Sequence, residues 1–238
     1  MRLRIVALAA LALLTCVGYA SAQEQTSAQA EMVLERASGR AFPVELALPG
    51  RGQVQRLAGT GIRAKTFFKV QVYAFGLYVS AEAAAASLAN WRGRSMAELK
   101  KDDSFYKRLL EDDFGKSLRL VMTRTIGGDD MIEAFDKALK PRLRQAIEKL
   151  GLNGSQADLE SFRSYFNSEE LTKGSELIFA WRPGGTLVTA IQGGVKGEIE
   201  SPALCWALFD VYLGLKPVSK GAKQSLISRL PSILMSRK

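Results

Sequence analysis

Arg63 and Tyr73 have side chains that together could hold a carboxylate. A guanidinium group donates two parallel hydrogen bonds to a carboxylate, and a phenol hydroxyl can add a third. Gly59 and Gly61 precede Arg63 at alternate positions of this predicted strand. Alternate residues of a strand point to the same face, so two successive positions on that face carry no side chain. A bare strand face allows another group to approach the backbone closely. This combination predicts a small pocket for an acid.

The sequence lacks the residues on which the commonest catalytic and metal sites depend. It contains no histidine, which excludes Ser-His-Asp and Cys-His catalysis and removes the commonest transition-metal ligand. It has neither a metal-ligand spacing nor a glycine-rich phosphate-binding loop before a helix. We therefore predict no metal site and no cofactor.

Arg63 and Tyr73 must be positioned by two strands, which the sequence predicts to be joined by a short turn near residues 65–66. The second strand is apolar on both faces from Val72 onward. That pattern is typical of a central strand that is covered on both sides.

The rest of the chain shows further strand and helix patterns. Strands are predicted at 42–48, 55–58, 116–124, 175–181 and 186–191, turns at 49–52, 182–185 and 193–197, and helices at 81–89, 95–98, 104–110, 127–150, 158–166, 201–214 and 220–230. Pro141 is expected to kink or split the helix at 127–150. This order of elements predicts an α+β fold, with an antiparallel sheet and helices layered on one side.

The start of the chain has the pattern of an export signal. Arg2 and Arg4 form a basic region, Ile5–Leu14 an apolar core, and an Ala-x-Ala cleavage site ends at Ala22. We expect a periplasmic or secreted protein that is cut after Ala22. Intact-mass measurement of the exported protein checks this, and a mass that includes diacylglycerol on Cys16 would contradict it.

Three segments follow from this interpretation: a signal peptide at 1–22, a flexible, polar arm at 23–41 and one domain at 42–238. The mature chain would then have one cysteine, Cys205, which cannot form an internal disulfide. The formal net charge of the full chain is +9. For an exported protein, this charge favours peripheral contact with an anionic membrane surface or with anionic ligands, and no nucleic-acid motif is present.

The stretch that contains Arg63 and Tyr73 resembles the chalcone isomerase superfamily. It reads Gly-x-Gly-x-Arg from Gly59, followed by Phe-x-Lys-Val-x-x-Tyr-Ala-x-Gly-Leu-Tyr up to Tyr78. Further matches follow in the same order from about Phe42 to about Met235, and they are Trp91–Leu99, Phe105-Tyr106, Gly128, Gly184 and Arg229–Leu234. The resemblance implies an open-faced β-sandwich: a large antiparallel sheet, a helical layer and a ligand cleft between them.

The superfamily holds chalcone isomerases, non-catalytic chalcone-isomerase-like proteins and plastid fatty-acid-binding proteins. Arg63 matches the family's arginine and Tyr73 its hydroxyl position. The positions of the catalytic tyrosine and asparagine fall on Met131 and Ala138, and that of a lysine between them on Ala134. Methionine and alanine can neither donate nor orient a proton. The resemblance therefore implies no catalytic residue and a ligand site formed by Arg63, Tyr73, Met131, Ala134 and Ala138.

Three hypotheses remain open at this point. The first is an exported, non-catalytic protein that binds a fatty acid or a similar aliphatic carboxylate or lipid. The second is an isomerase, of the intramolecular lyase type, acting on an enone-like substrate. The third is an interaction protein with a collapsed cleft. For Arg63 the structural alternative is an ion pair with a carboxylate of this chain, and for the helix residues it is plain core packing.

Overall fold

The computed structural model describes residues 30–49, 53–65, 70–167 and 169–236. The strands are β1 (Met32–Leu34), β2 (Ala41–Pro43), β3 (Glu45–Ala47), β4 (Val54–Lys65), β5 (Val70–Val79), β6 (Lys116–Met122), β7 (Ile126–Gly127), β8 (Glu170–Leu171), β9 (Glu176–Arg182), β10 (Thr186–Ile191) and β11 (Gly194–Glu200). The helices are α1 (Ala81–Ser87), α2 (Met96–Leu99), α3 (Asp103–Leu109), α4 (Gly128–Leu150), α5 (Gln156–Ser164), α6 (Pro202–Leu213), α7 (Lys220–Ser225) and α8 (Leu230–Met235), with a 3₁₀ turn at Ala89–Trp91.

Seven strands form one antiparallel sheet in the order β11-β10-β9-β6-β5-β4-β3. The large core lies between one face of this sheet and the helices. A smaller apolar cluster, which includes Phe42, Tyr78 and Val121, covers part of the other face. The predicted α+β class with an antiparallel sheet and a helical layer is confirmed.

The two strands that carry Arg63 and Tyr73 pair as predicted. β4 and β5 are antiparallel neighbours, and Arg63 lies directly opposite Tyr73 in their register. β5 is an interior strand, and every residue from Ala74 to Val79 is buried. The turn between the two strands falls within residues 66–69, outside the described residues.

The bare glycine face of β4 is covered by helix α7, not by open space for a ligand. A Cβ atom built on Gly59 would lie 2.2 Å from the backbone oxygen of Ser225, and one built on Gly61 would lie 2.8 Å from the Cβ of Ala222. The glycines therefore allow a close contact between helix and strand. The sequence correctly indicated a close approach, but the interpretation of the bare face as part of a pocket was wrong.

Several predicted elements differ from those observed. The stretch 42–48 is divided between β2, which pairs with β1, and β3, which pairs with β4. β11 was missed because its sequence is rich in glycine and charged residues, and it forms by pairing with β10. The predicted helix at 220–230 is shorter in the structure: α7 ends at Ser225, and α8 begins only at Leu230.

Helix α4 runs continuously through Pro141, so the predicted break does not occur. Proline removes one helical hydrogen bond, but its backbone angle is compatible with a helix. The apolar stripe on both sides of Pro141, which includes Leu139 and Leu143, is buried against the core. This burial favours an unbroken helix.

The N-terminal predictions lie partly outside the described residues. Residues 1–29, which include the predicted signal peptide and its cleavage site, are among those not described. Within the predicted flexible arm at 23–41, Met32–Leu34 forms strand β1 and pairs with β2. The interpretation of this part of the arm as irregular was therefore wrong. Among the described residues, no helix is long and apolar enough to cross a membrane.

Candidate carboxylate-binding site

Arg63 and Tyr73 meet a third polar side chain, Tyr212 of helix α6. The hydroxyl oxygens of Tyr73 and Tyr212 are 3.1 Å apart and share a hydrogen bond. The Nη1 atom of Arg63 donates a hydrogen bond to the backbone carbonyl oxygen of Val218, at 2.6 Å. One guanidinium group and two phenols thus lie together where α6 and the segment after it contact β4 and β5.

Packing between α6 and the sheet holds Tyr212 in place. Ser201 caps the helix by accepting a hydrogen bond from the backbone N–H of Leu204 at 3.2 Å. The Tyr212 ring packs against Phe75 of β5, with 4.8 Å between the ring centroids. Phe75 also contacts Tyr73, at 5.9 Å. Both phenols are therefore fixed by aromatic contacts as well as by their shared hydrogen bond.

Both tyrosines are held in the neutral form. Burial raises the pKa of Tyr73, although the hydrogen bond shared with Tyr212 and the charge of Arg63 act in the opposite direction. Burial, together with the charge and the hydrogen bond of Tyr73, raises the pKa of Tyr212 well above its ordinary value, against the charge of Arg63. Neutral phenols keep their hydroxyl hydrogen, so the pair can donate a hydrogen bond to an anion at neutral pH.

Arg63 has no carboxylate partner among the described residues. It is half-buried, and none of the salt bridges in the described part of the chain includes it. The structural alternative, an ion pair within this chain, is therefore not observed there. Its hydrogen bond to Val218 uses one N–H group and a neutral acceptor, so no carboxylate in the described part of the chain lies within salt-bridge distance to balance its positive charge.

The three predicted helix residues have different environments. Met131 is buried, with 3% of its surface exposed, and Ala138 is partly buried against the same core. Ala134 lies on the exposed side of α4. The buried stripe of α4 passes through Met131, Phe135 and Leu139, and Ala134 falls outside it. The prediction that Ala134 faces a cleft between sheet and helices was wrong.

A cavity of about 900 Å³ lies in the helical layer, between α3, α4 and α6. None of the five predicted site residues lines it. Met131 instead packs in the core between α4 and the sheet. No group of three or more cysteine or acidic residues suited to a metal ion occurs among the described residues.

Sequence reasoning missed Tyr212 and Val218. The one available signal was a tyrosine near the end of a helix whose other residues are almost all apolar, because a buried phenol usually finds a hydrogen-bond partner. Nothing in the local sequence identified that partner as Tyr73, which lies 139 residues earlier.

Comparisons with known proteins agree with this architecture. A family model described as chalcone isomerase like matches residues 53–227. A chalcone–flavanone isomerase of Oryza sativa subsp. japonica is 30% identical over 209 residues, which cover 82% of this chain and 88% of that protein. Fatty-acid-binding protein 1 of Arabidopsis thaliana is 27% identical over 208 residues, which cover 85% of this chain and 72% of that protein.

A solved structure shows the same fold. The crystal structure of a fatty-acid binding protein of Arabidopsis thaliana matches with a TM-score of 0.71 and 27% identity, and the match covers 87% of this chain and 100% of that one. Its sheet-and-helix architecture is the one that the resemblance implied. The chain therefore belongs to the chalcone isomerase-like family, whose members here include proteins named as isomerases and proteins named as fatty-acid-binding proteins.

Proposed function

We propose that this protein binds a fatty acid or a similar aliphatic carboxylate without catalysing a reaction on it. The observation that carries the proposal is the positive charge of Arg63, which has no carboxylate partner in the described part of the chain and lies beside two neutral phenols. The similarity to Arabidopsis thaliana proteins named fatty-acid-binding protein supports the same ligand class.

In this proposal the ligand carboxylate takes the place of the Val218 carbonyl oxygen on Arg63. An ionised acceptor makes stronger hydrogen bonds to a guanidinium group than a neutral carbonyl does, and it can accept two in parallel. The tyrosine pair donates a further hydrogen bond. The aliphatic tail would lie against Met131 and Ala138, which contact the core in this structure, so the helices around the site must move apart to admit it.

Among the described side chains of the proposed site, none is a suitable proton-transfer group, and this supports binding over catalysis. Met131 and Ala138 cannot transfer protons. Tyr73 and Tyr212 have raised pKa values, so neither is matched to general-base catalysis near neutral pH. The alternative function, an isomerase of the intramolecular lyase type, is favoured by the similarity to proteins named chalcone–flavanone isomerase and by the presence of Arg63.

Arg63→Ala should weaken the binding of laurate by about ten- to a hundredfold, because a charge-assisted contact of this kind contributes roughly 1.5–3 kcal/mol. Isothermal titration with laurate measures the effect, and Arg92→Ala, at an exposed position, is the matched control. Tyr73→Phe and Tyr212→Phe should each weaken binding several-fold, since each removes one hydroxyl from the pair.

Two results would contradict the proposal. The first is a parent protein that neither binds laurate nor carries a fatty acid in native mass spectrometry. The second is turnover of naringenin chalcone well above the spontaneous rate, measured by absorbance and lost in Arg63→Ala. That second result would establish the isomerase instead.

The export pattern at 1–22 suggests a location, and the net charge of +9 falls to +7 once Arg2 and Arg4 leave with the signal peptide. A basic protein in the periplasm or outside the cell would meet its amphiphilic ligand at anionic membrane surfaces, to which its charge attracts it.

A further inference from the structure

Residues 214–219 connect α6 to α7 and contact the Arg63 side chain. The segment is neither helix nor strand, and we name it the α6–α7 strap. The backbone N–H groups of Gly214 and Val218 donate hydrogen bonds to backbone carbonyl oxygens of α6, at 2.9 and 2.8 Å. The side chain of Leu215 is 67% exposed, so burial of this residue contributes little to holding the strap in place.

Three cationic side chains hold the strap through its backbone carbonyl oxygens. These hydrogen bonds run from Arg63 of β4 to Val218 at 2.6 Å, from Arg142 of α4 to Lys216 at 2.6 Å, and from Lys223 of α7 to Gly214 at 3.0 Å. Hydrogen bonds from charged donors are roughly twice as strong as those between neutral groups. The closed position of the strap therefore depends on side chains from three different elements, and the loss of any one of them should release part of it.

Arg142 also connects the strap to two helices. Its Nε atom donates to the Asp210 carboxylate of α6 at 2.9 Å, and its Nη1 atom donates to the carbonyl oxygen of Ala138 in α4 at 2.8 Å. The Arg142 and Asp210 side chains are only 16% and 14% exposed. A lysine at this position could not span all three acceptors, because its donors share one nitrogen atom. The guanidinium group is therefore suited to fix the strap against both helices.

One side of the strap borders open space. Gly214, Leu215 and Lys216 line the cavity of about 900 Å³ between α3, α4 and α6, whereas Val218 is bound to Arg63 on the β4 side. Movement of the strap toward the cavity therefore requires no displacement of a close-packed core. Such a movement would break the hydrogen bond between Arg63 and Val218 and leave the guanidinium group accessible to a ligand.

We propose that the α6–α7 strap is a gate on the Arg63 site, and that Arg142 is the positioning residue that keeps it shut. The role as a gate rests on the proposed function at Arg63, because it controls the access of the aliphatic carboxylate to that side chain. Only molecules with an open strap bind the ligand, so the apparent affinity falls in proportion to their fraction. Binding then releases the Val218 carbonyl from Arg63, while Arg142 and Lys223 still hold the strap.

Hydrogen exchange of the Val218 amide in the ligand-free protein, followed by NMR, tests how the strap is held. Arg142→Lys should speed this exchange by about tenfold, because it removes a charge-assisted hydrogen bond from the strap. The variant keeps a positive charge beside Asp210, so it should fold, and thermal melting checks this. Arg63→Ala should have a similar effect on the exchange. Arg144→Lys, the same substitution at an exposed position of α4, should leave the rate unchanged.

The rate of laurate association, followed by stopped-flow fluorescence of the protein, tests the gate itself. Arg142→Lys should bind laurate several-fold faster and more tightly than the parent, since its strap is open more often, and Arg144→Lys should match the parent. Saturating laurate should also speed exchange at the Val218 amide of the parent, because the ligand releases the Val218 carbonyl. A site with a fixed strap would instead show slower or equal exchange there when laurate binds.

The outcomes separate the gate from the proposed function. Unchanged Val218 exchange in both Arg142→Lys and Arg63→Ala would overturn the gate, whether or not laurate binds. Equal laurate kinetics in the parent and Arg142→Lys would also overturn it and would leave the proposed function intact. If neither the parent nor Arg142→Lys binds laurate, but Val218 exchange is faster in Arg142→Lys, the result supports the anchored strap and counts against the proposed function only.

Discussion

Gly59→Ala should lower the free energy of unfolding by about 3 kcal/mol or more, at the upper end of what overpacking costs. The new Cβ atom would lie 2.2 Å from the backbone oxygen of Ser225 and 2.6 Å from the backbone carbonyl carbon of Leu226. Backbone atoms cannot turn aside as a flexible side chain can, so α7 must move away from β4. For a chain of this size the melting temperature should fall by about 6–12 °C.

Gly221→Ala is the matched control, because it adds the same methyl group on α7 itself. A Cβ atom at Gly221 has no neighbour within 4 Å. Alanine is the better helix former, so this variant should be as stable as the parent or more stable by up to about 1 kcal/mol. Equal melting temperatures for Gly59→Ala and the parent would show that α7 does not pack on β4 as described.

The same contact connects folding to ligand binding. Arg63 donates a hydrogen bond to the backbone carbonyl oxygen of Val218, which lies just before the start of α7. Displacement of α7 in Gly59→Ala should therefore also loosen this hydrogen bond. If the ligand carboxylate replaces the Val218 carbonyl, the variant should bind laurate at least as tightly as the parent, despite its lower stability. Thermal melting and titration of the same sample measure both effects.

Lys116→Met should remove a pH dependence of stability that the parent shows above pH 8. Lys116 is 1% exposed, and its ammonium group lies 4.2 Å from the centroid of Phe114 and 4.1 Å from that of Trp181. It also donates a hydrogen bond to the carbonyl oxygen of Glu111. Burial lowers the pKa of Lys116 to about 8, although the nearby charges of Asp113 and Asp112 oppose the shift.

The sign of the effect follows from proton binding. The ordinary pKa of lysine is 10.5, so between about pH 8 and about pH 10.5 the unfolded chain binds the proton that folded Lys116 has lost. The contribution of Lys116 to stability therefore rises with pH across this window. Below pH 8 the buried charge costs up to about 3 kcal/mol relative to a neutral group, and the two cation–π contacts offset part of that cost.

Lys116→Met should accordingly raise the free energy of unfolding at pH 7 by about 1–3 kcal/mol. The gain should shrink as the pH rises toward 10. Buried tyrosines such as Tyr78 have raised pKa values and lower the stability of both proteins above about pH 10, so this contribution cancels in the difference. Urea unfolding of parent and variant from pH 7 to pH 9.5 measures the effect.

Lys137→Met, at an exposed position of α4, is the control and should give a profile parallel to that of the parent. If the profile for Lys116→Met is also parallel to the parent's, Lys116 keeps its charge throughout this range. The cation–π contacts would then outweigh the cost of burial.

The pairing of β4 with β5 could be predicted because its signals are local. Alternation with a period of two and apolar residues on both faces identify a central strand within a few residues of chain. The short connection alone would continue the pairing of Ala64 with Gln71 and place Arg63 opposite Val72. The observed pairing of Arg63 with Tyr73 depends on a shift of register between Arg63 and Ala64. The prediction for β11 also used a local signal, and it failed. The glycines of this segment indicated a turn, but the segment forms a strand because it pairs with β10.

Ala134 shows a different limit. Sequence periodicity predicted that α4 buries one face, but the edge of that face depends on how the helix is rotated against the sheet. The observed stripe through Met131, Phe135 and Leu139 leaves Ala134 exposed. Neither the helix pattern nor a family position determined this rotation, which depends on packing against α6 and the sheet.

By itself, the sequence determined the fold class, the chemistry that histidine's absence excludes, and the neighbourhood of Arg63 and Tyr73, since all of these depend on composition or on contacts between adjacent strands. Only the tertiary structure decided what surrounds that pair. It brings Tyr212 to Tyr73 across 139 residues and Val218 to Arg63 across 155, and it places α7 on the glycines of β4. Local patterns indicate that a surface will be covered, but the covering segment is selected by the packing of the whole chain.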